Sequence, residues 1–174
     1  ESVDAVARLK AEGKSVRLRV IGRGRDEALI RQRCADKGLT SNDVAFLGYI
    51  ESHAEALQIV ADSDVGLMPH RKNESWDTTI PNKLFDYMAA GLPVVSSNAA
   101  PCERILRETN AGRVFQSGDS AGIASAIDEV SAPEIAVQLG AAGRQAIRDR
   151  YNWEHDTSVL LDVIDRTEHR AGRI

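Results

Sequence analysis

Aromatic residues make up only 5% of the chain and the net formal charge is −4. The sequence therefore has neither the concentrated basic stripe nor the stacking groups that a nucleic-acid surface needs. Cysteine is equally sparse: Cys34 and Cys102 lie far apart and form no metal or redox spacing, which reads as two small buried thiols in a reducing compartment. The histidines, His53, His70, His155 and His169, make no ligand spacing with one another or with the cysteines. No apolar run approaches the ~18 residues of a membrane span, and no signal peptide or internal repeat is recognisable. The expected setting is the cytoplasm, with peripheral contact at the inner face of the membrane left open. At 174 residues the chain suits one domain of ordinary size.

What is present is concentrated in residues 77–97, Asp-Thr-Thr-Ile-Pro-Asn-Lys-Leu-Phe-Asp-Tyr-Met-Ala-Ala-Gly-Leu-Pro-Val-Val-Ser-Ser, which read as a short helix followed by a buried strand. Pro81 fits a first helical turn, with Thr78 and Thr79 upstream as candidate caps. Leu84, Phe85 and Met88 form an apolar stripe, while Lys83 and Asp86 share a neighbouring face. Gly91 ends the helix, and Pro93 confines the chain before Val94 and Val95, so that Ser96 and Ser97 are expected at the mouth of a sheet. A helix N-terminus, one lysine and one carboxylate on the rim of a parallel sheet suit a ligand that is anionic and carries hydroxyls. On this stretch alone, a solvated charged face explains Lys83 and Asp86 equally well.

Elsewhere, Val3, Val6 and Leu9 space a helix over 2–11. Strands are expected at 16–21, 43–48, 64–69, 93–97 and 112–115. Further helices are expected over 26–37, over 101–108, 119–130, 133–150 and 153–168, and from Glu51-Ser52 onward with an apolar face of Ala54, Leu57, Val60 and Ala61. Residues 70–79 read as a polar loop in which Trp76 either anchors the loop or covers a crevice, and His70 is either a surface residue or a ligand contact. This alternation indicates an α/β doubly wound parallel sheet, whose loops at Gly22, Gly48, Pro69 and Ser96 open on one rim.

Gly22-Arg23-Gly24-Arg25 opens like a dinucleotide fingerprint, but Glu27 stands at its third glycine, and Phe46-Leu47-Gly48 replaces the strand-end carboxylate. The turn still allows Arg23 or Arg25 to approach a phosphate, or leaves both in water. A receiver-type magnesium site needs strand-end carboxylates, which these strands lack. Nothing around Ser96 or Ser97 suggests a nucleophile elbow.

Strands ending in Gly-Arg-Gly, Phe-Leu-Gly-Tyr and Leu-Met-Pro, followed by Pro-Asn-Lys-Leu-Phe-Asp-Tyr-Met-Ala-Ala-Gly-Leu-Pro-Val-Val, resemble the nucleotide-sugar-binding C-terminal domain of the retaining glycosyltransferases called group 1 or family 4. That family has the two-domain GT-B fold, and the resemblance covers nearly the whole chain. It implies a Rossmann-like half of a GT-B fold over residues 1–150 that lacks its first strand, because the chain begins in the helix that follows it. The edges beside 16–21 and 64–68 would then be unpaired. Residues 151–174 would be a C-terminal helix that either packs on this domain or crosses, as in the family, to an N-terminal domain outside this sequence.

By the same resemblance, Asp86 stands where the family usually has a glutamate that holds the donor's ribose hydroxyls. The family's partner glutamate, which contacts the donor sugar, falls on Thr78, with Glu74 or Asp77 as substitutes. Backbone N–H groups around Thr79 and Ile80 would receive the diphosphate with help from Lys83. Gly22 and Arg23 would approach the phosphates, and the main chain at Tyr49 and Ile50 would face the base. The implied activity is transfer of a sugar from a nucleotide-diphosphate sugar to a saccharide or lipid acceptor, with retention, and with neither metal nor cofactor. Catalytic groups would lie on the N-terminal domain, so this chain alone would bind nucleotide and turn over nothing. The alternatives are a non-catalytic nucleotide-binding or interaction module, which a threonine at position 78 favours, and a sugar-nucleotide epimerase of the same fold.

Overall fold

A computed structural model describes residues 1–171, in which helices and parallel strands alternate. The order is α1 (Ser2–Ala11), β1 (Leu18–Ile21), α2 (Glu27–Asp36), β2 (Val44–Gly48), α3 (His53–Ala61) and β3 (Gly66–Met68). Then follow α4 (Glu74–Thr78), α5 (Lys83–Ala90), β4 (Val94–Ser97), α6 (Ala100–Thr109), β5 (Gly112–Phe115), α7 (Ser120–Val130), α8 (Pro133–Asp149) and α9 (Trp153–Ala171). β1 pairs in parallel with β2, while β3, β4 and β5 pair in parallel in that order. Among the described residues β1 and β3 are not joined, so the strands make two sheets rather than one. These are the two edges that the sequence leaves unpaired.

β4 is buried along its whole length, and its side chains alternate between two helix layers. Val94 packs with Met68, Leu84 and Met88 and with Cys102, Ile105 and Leu106, joining β3, α5 and α6. Val95 faces the other way, against Ala5 and Leu9 of α1 and Ile123, Ala124 and Val130 of α7. A third cluster, Val3, Val6, Cys34, Leu39 and Val44, seats α1 on the two-stranded sheet. One helix thus belongs to both sheets. No described helix is long and apolar enough to cross a membrane.

Some expectations need correction. Residues 70–79 contain the short helix α4, because Asn73 caps it: its side-chain oxygen accepts from the Trp76 amide at 2.9 Å. Thr78 therefore ends α4 and Thr79 is its extended C-cap, so neither caps the following helix, which begins at Lys83. Ser96 and Ser97 are 1% and 0% exposed rather than open at the sheet mouth, since they lie in the middle strand, paired with β5 and, at Ser96, with β3. In α3 the expected apolar face carries no buried residue. The first strand begins at Leu18, two residues later than its pattern suggests.

Two consequences are measurable. A Cβ at Gly112 would lie 1.9 Å from the Val94 carbonyl oxygen, because β5 runs that close to β4. Gly112→Ala is expected to destabilise the fold by about 2–3 kcal/mol in urea denaturation, whereas Gly24→Ala, with open space around it, should change little. Asp43 Oδ2 accepts from Lys10 Nζ at 2.6 Å and from the Thr40 amide and hydroxyl at 2.7 and 2.9 Å. The Lys10 bond first, then the two from Thr40, hold its carboxyl down at about 2. A folded-state value below the unfolded ~3.9 means that its stabilising contribution is complete above that value and is lost as pH falls toward about 2. Urea midpoints measured from pH 5 to 2 should fall less steeply in Asp43→Asn than in the unaltered protein.

Candidate functional site

The turn from α4 into α5 leaves its backbone donors uncommitted. Asn82 takes the N-cap position in a right-handed helical conformation and gives no side-chain cap. The carbonyls of Pro81 and Asn82 accept from the amides of Leu84, Phe85 and Asp86 at 3.0, 2.9 and 3.2 Å. The amides of Ile80, Asn82 and Lys83 have no protein acceptor among the described residues. These are the free groups to be expected at a helix start, and they carry its positive dipole end. Lys83 is exposed and Asp86 half-buried, three residues apart on one side of α5. Neither has an ion pair or side-chain hydrogen bond among the described residues. Burial, and then the Asp86 carboxylate, push the neighbouring Tyr87 phenol up.

Around this turn, other polar groups are tied down. The Thr78 hydroxyl donates to the carbonyls of Glu74 and Ser75 at 3.0 and 3.1 Å, so it is held by its own helix. Asp77 Oδ1 accepts from the Ala100 amide at 3.0 Å and caps α6 from a distance. The Lys72 amide donates to the Ser117 hydroxyl at 2.8 Å, the Ser117 amide to Asn98 Oδ1 at 3.0 Å, and Arg71 Nε to Glu1 Oε1 at 2.9 Å. His70 stacks on Trp76 with ring centres 4.0 Å apart, which anchors the loop. Burial, and then the charge of Lys83, push the His70 imidazole below its ordinary range.

The remaining predicted residues lie on loops of the other sheet. Gly22 has φ of +119°, a conformation that side chains disfavour, and its amide donates to the Gly48 carbonyl at 2.7 Å, joining the loops after β1 and β2. Arg23 is exposed and without an ion pair among the described residues, whereas Arg25 approaches Asp26 at 3.6 Å. Tyr49 is 65% exposed and Ile50 half-buried.

The structure thus gathers Ile80, Lys83 and Asp86 in one turn, with Thr79 entering it. Thr78 is tied inward and Asp77 is committed to α6, so neither stands in for a free carboxylate; Glu74 is exposed at the start of α4. The sequence reading missed the His70–Trp76 stack and the role of Asp77. Asn73 ahead of Glu74-Ser75-Trp76-Asp77 was the available signal for the helix that creates both.

A family profile described as "Glycosyl transferases group 1" matches residues 2–132. The phosphatidyl-myo-inositol mannosyltransferase of Mycobacterium leprae is 32% identical over 160 residues, which is 91% of this chain and 40% of that protein. Sucrose-phosphate synthase from Thermosynechococcus elongatus superposes with a TM-score of 0.78 at 19% identity, over 98% of this chain and 43% of the other. Anabaena HepE, solved in complex with UDP, superposes with a TM-score of 0.75 at 16% identity, over 95% and 44%. At such identities the structural likeness speaks to fold, that of one half of a GT-B glycosyltransferase. The chain spans about 40% of the length of the curated relative. With the profile covering most of its length, the chain belongs to the group 1 glycosyl transferases.

Proposed function

We propose that this chain is the donor-binding half of an enzyme that moves a sugar from a nucleotide-diphosphate sugar to an acceptor. The observation that carries this reading is the turn at residues 79–86, where, among the described residues, three amides lack acceptors and the Lys83 ammonium and Asp86 carboxylate lack partners. N–H groups at a helix start, together with a cation, answer the charge of a diphosphate. Asp86, one turn on, accepts from the ribose hydroxyls through charge-assisted hydrogen bonds. Gly22 and Arg23 approach the phosphates from the other sheet, and the main chain at Tyr49 and Ile50 faces the base. No metal is needed in this arrangement.

Transfer belongs to the whole protein, with acceptor and catalytic groups on an N-terminal domain. In the reading with retention, the acceptor oxygen bonds to C1 of the sugar on the face from which the diphosphate leaves. The C1–O bond to the diphosphate breaks, and the departing phosphate oxygen takes the acceptor's proton. The exposed Val159, Leu160 and Val163 of α9 provide the face that crosses to that domain. A lipid acceptor fits the activity named for the mycobacterial relative; a saccharide is the other class.

A second reading, a nucleotide-binding module without chemistry, draws on Thr78, whose hydroxyl is bonded within α4 and which offers no carboxylate where the family has glutamate. Calorimetric titration of the full-length protein with UDP, GDP and ADP tests the first reading. At least one should bind, and Asp86→Ala should weaken it by about 10–100-fold, the range for a hydrogen bond to a charged group. Thr78→Ala should stay within about twofold. Failure of all three nucleotides to bind overturns donor binding. Binding without sugar transfer or donor hydrolysis favours the module.

A further inference from the structure

α5 rests on the core through Leu84 and Met88, one turn apart, and its far end is tied to α8, where Arg144 Nη2 donates to the Ala90 carbonyl at 2.7 Å. Contacts strung along one line leave a short helix free to roll about that line. Two aromatic side chains, set about 100° to one side of Leu84 and about 60° to the other by the helical turn, oppose the roll. The Tyr87 ring lies against Gly66 of β3, 2.4 Å from where a Cβ on that glycine would stand. On the other shoulder Phe85, in the first turn, stacks on Tyr151 with ring centres 5.3 Å apart and planes inclined by 29°. In sequence Phe85 stands between Lys83 and Asp86, the two charged groups proposed to meet the donor.

Tyr151 is itself held from several sides. It packs with Ala146 and Ile147 of α8, and its amide donates to the Ala146 carbonyl at 3.1 Å. The Arg150 guanidinium stands 5.2 Å from its ring centre and is paired with Glu108 of α6 at 3.2 Å. The next residue, Asn152, closes the junction: its Nδ2 donates to the carbonyls of Ile147 and Arg148, both at 2.9 Å, and its Oδ1 accepts from the His155 amide at 2.8 Å. One side chain thus ends α8 and starts α9. The Tyr151 hydroxyl is buried and has no hydrogen-bond partner among the described residues, so the ring rather than the phenol oxygen makes the contact that matters.

We propose that Tyr151 is a positioning residue for the donor turn: through its stack on Phe85 it fixes the roll of α5, and with it the direction of the Asp86 carboxylate and of the amides of Asn82 and Lys83. The inference rests on the donor-binding reading above and adds to it a residue that touches no ligand. Stacked rings have a preferred geometry, which an aliphatic contact lacks. Hydrogen bonds to a diphosphate and a ribose need that precision, because a shift of about 1 Å takes a donor out of bonding range.

The test uses the full-length protein, with calorimetric titration of UDP, GDP and ADP and a thermal melt for each variant. Tyr151→Phe should bind within about twofold of the unaltered protein, because the hydroxyl it removes makes no bond. Tyr151→Ala and Phe85→Leu remove the stack from either side, and each should weaken binding by about tenfold, the affinity equivalent of a strong aromatic pair. Val130→Ala, in the cluster around α7, lowers stability without touching α5 and should leave affinity unchanged. With Asp86→Ala already present, the cost of Tyr151→Ala should shrink to about threefold or less, since the carboxylate it orients is gone.

A Tyr151→Ala protein that melts earlier yet binds like the unaltered one overturns the positioning role and leaves donor binding standing. So does a cost that is the same with and without Asp86, or an equal loss in Tyr151→Phe. No binding by the unaltered protein overturns both readings. Should Tyr151→Ala fail to fold, Phe85→Leu decides the matter from the other ring, alone and with Asp86→Ala.

Discussion

The alternation of Val94 and Val95 across β4 is the constraint from which the three-stranded side of the fold is built. One residue turns to α5 and α6, the next to α1 and α7, so the strand is fixed from both faces. α5, eight residues long, is too short to hold itself together in water. Leu84 and Met88, both fully buried against this core, hold it instead. Because packing rather than capping secures the helix, its first turn can do without side-chain partners, and its free amides arrive at the carboxyl-end rim with their dipole outward.

A second helix start on the same side makes the point by contrast. α6 also lacks a cap from its own N-cap residue, Ala99, but its Ala100 amide is bonded by Asp77 of α4. One helix end is closed by the protein, and the other is left free. Charge follows the same division: Asp77 is at the closed end, whereas Lys83, without an ion pair among the described residues, stands at the open one. An anion approaching this rim therefore finds donors and a cation at α5 and an occupied position at α6. That difference, rather than the presence of a helix N-terminus, singles out α5.

Most of the architecture was legible because period and punctuation agreed. The strands at Val94–Ser97 and Gly112–Phe115, the αL stop at Gly91 and the two long helices after Asp119 all follow from apolar spacing bounded by Gly, Pro or a capping side chain. The lapses at the candidate site have one origin. α4 is five residues long, too short for a periodic apolar face, and only its Asn73 cap marks it. Missing it displaced Thr78 and Thr79 from one helix to the next and hid what Asp77 does, since a bond to Ala100 across 23 residues leaves no trace in local sequence. Lys83 and Asp86 were recognisable as types in the right place. Their lack of partners, which is what matters chemically, could be known only from coordinates.

The proposed site draws on both sheets, and this decides what keeps it in register. Lys83 and Asp86 ride on the three-stranded sheet; Gly22, Arg23 and Tyr49 belong to loops of the two-stranded one, joined to each other by the bond from the Gly22 amide to Gly48. No strand pairing among the described residues links the halves. α1 does, with Ala5 and Leu9 in one core and Val3 and Val6 in the other. Two apolar contacts on each side permit small rotations that a hydrogen-bonded strand would forbid, because packed side chains are less directional than a ladder. The spacing between the loop at Gly22, proposed to face the phosphates, and the amides at Ile80–Lys83 therefore rests on helix packing rather than on a strand ladder. Any further strand paired to the free edges of β1 and β3 would stiffen that distance.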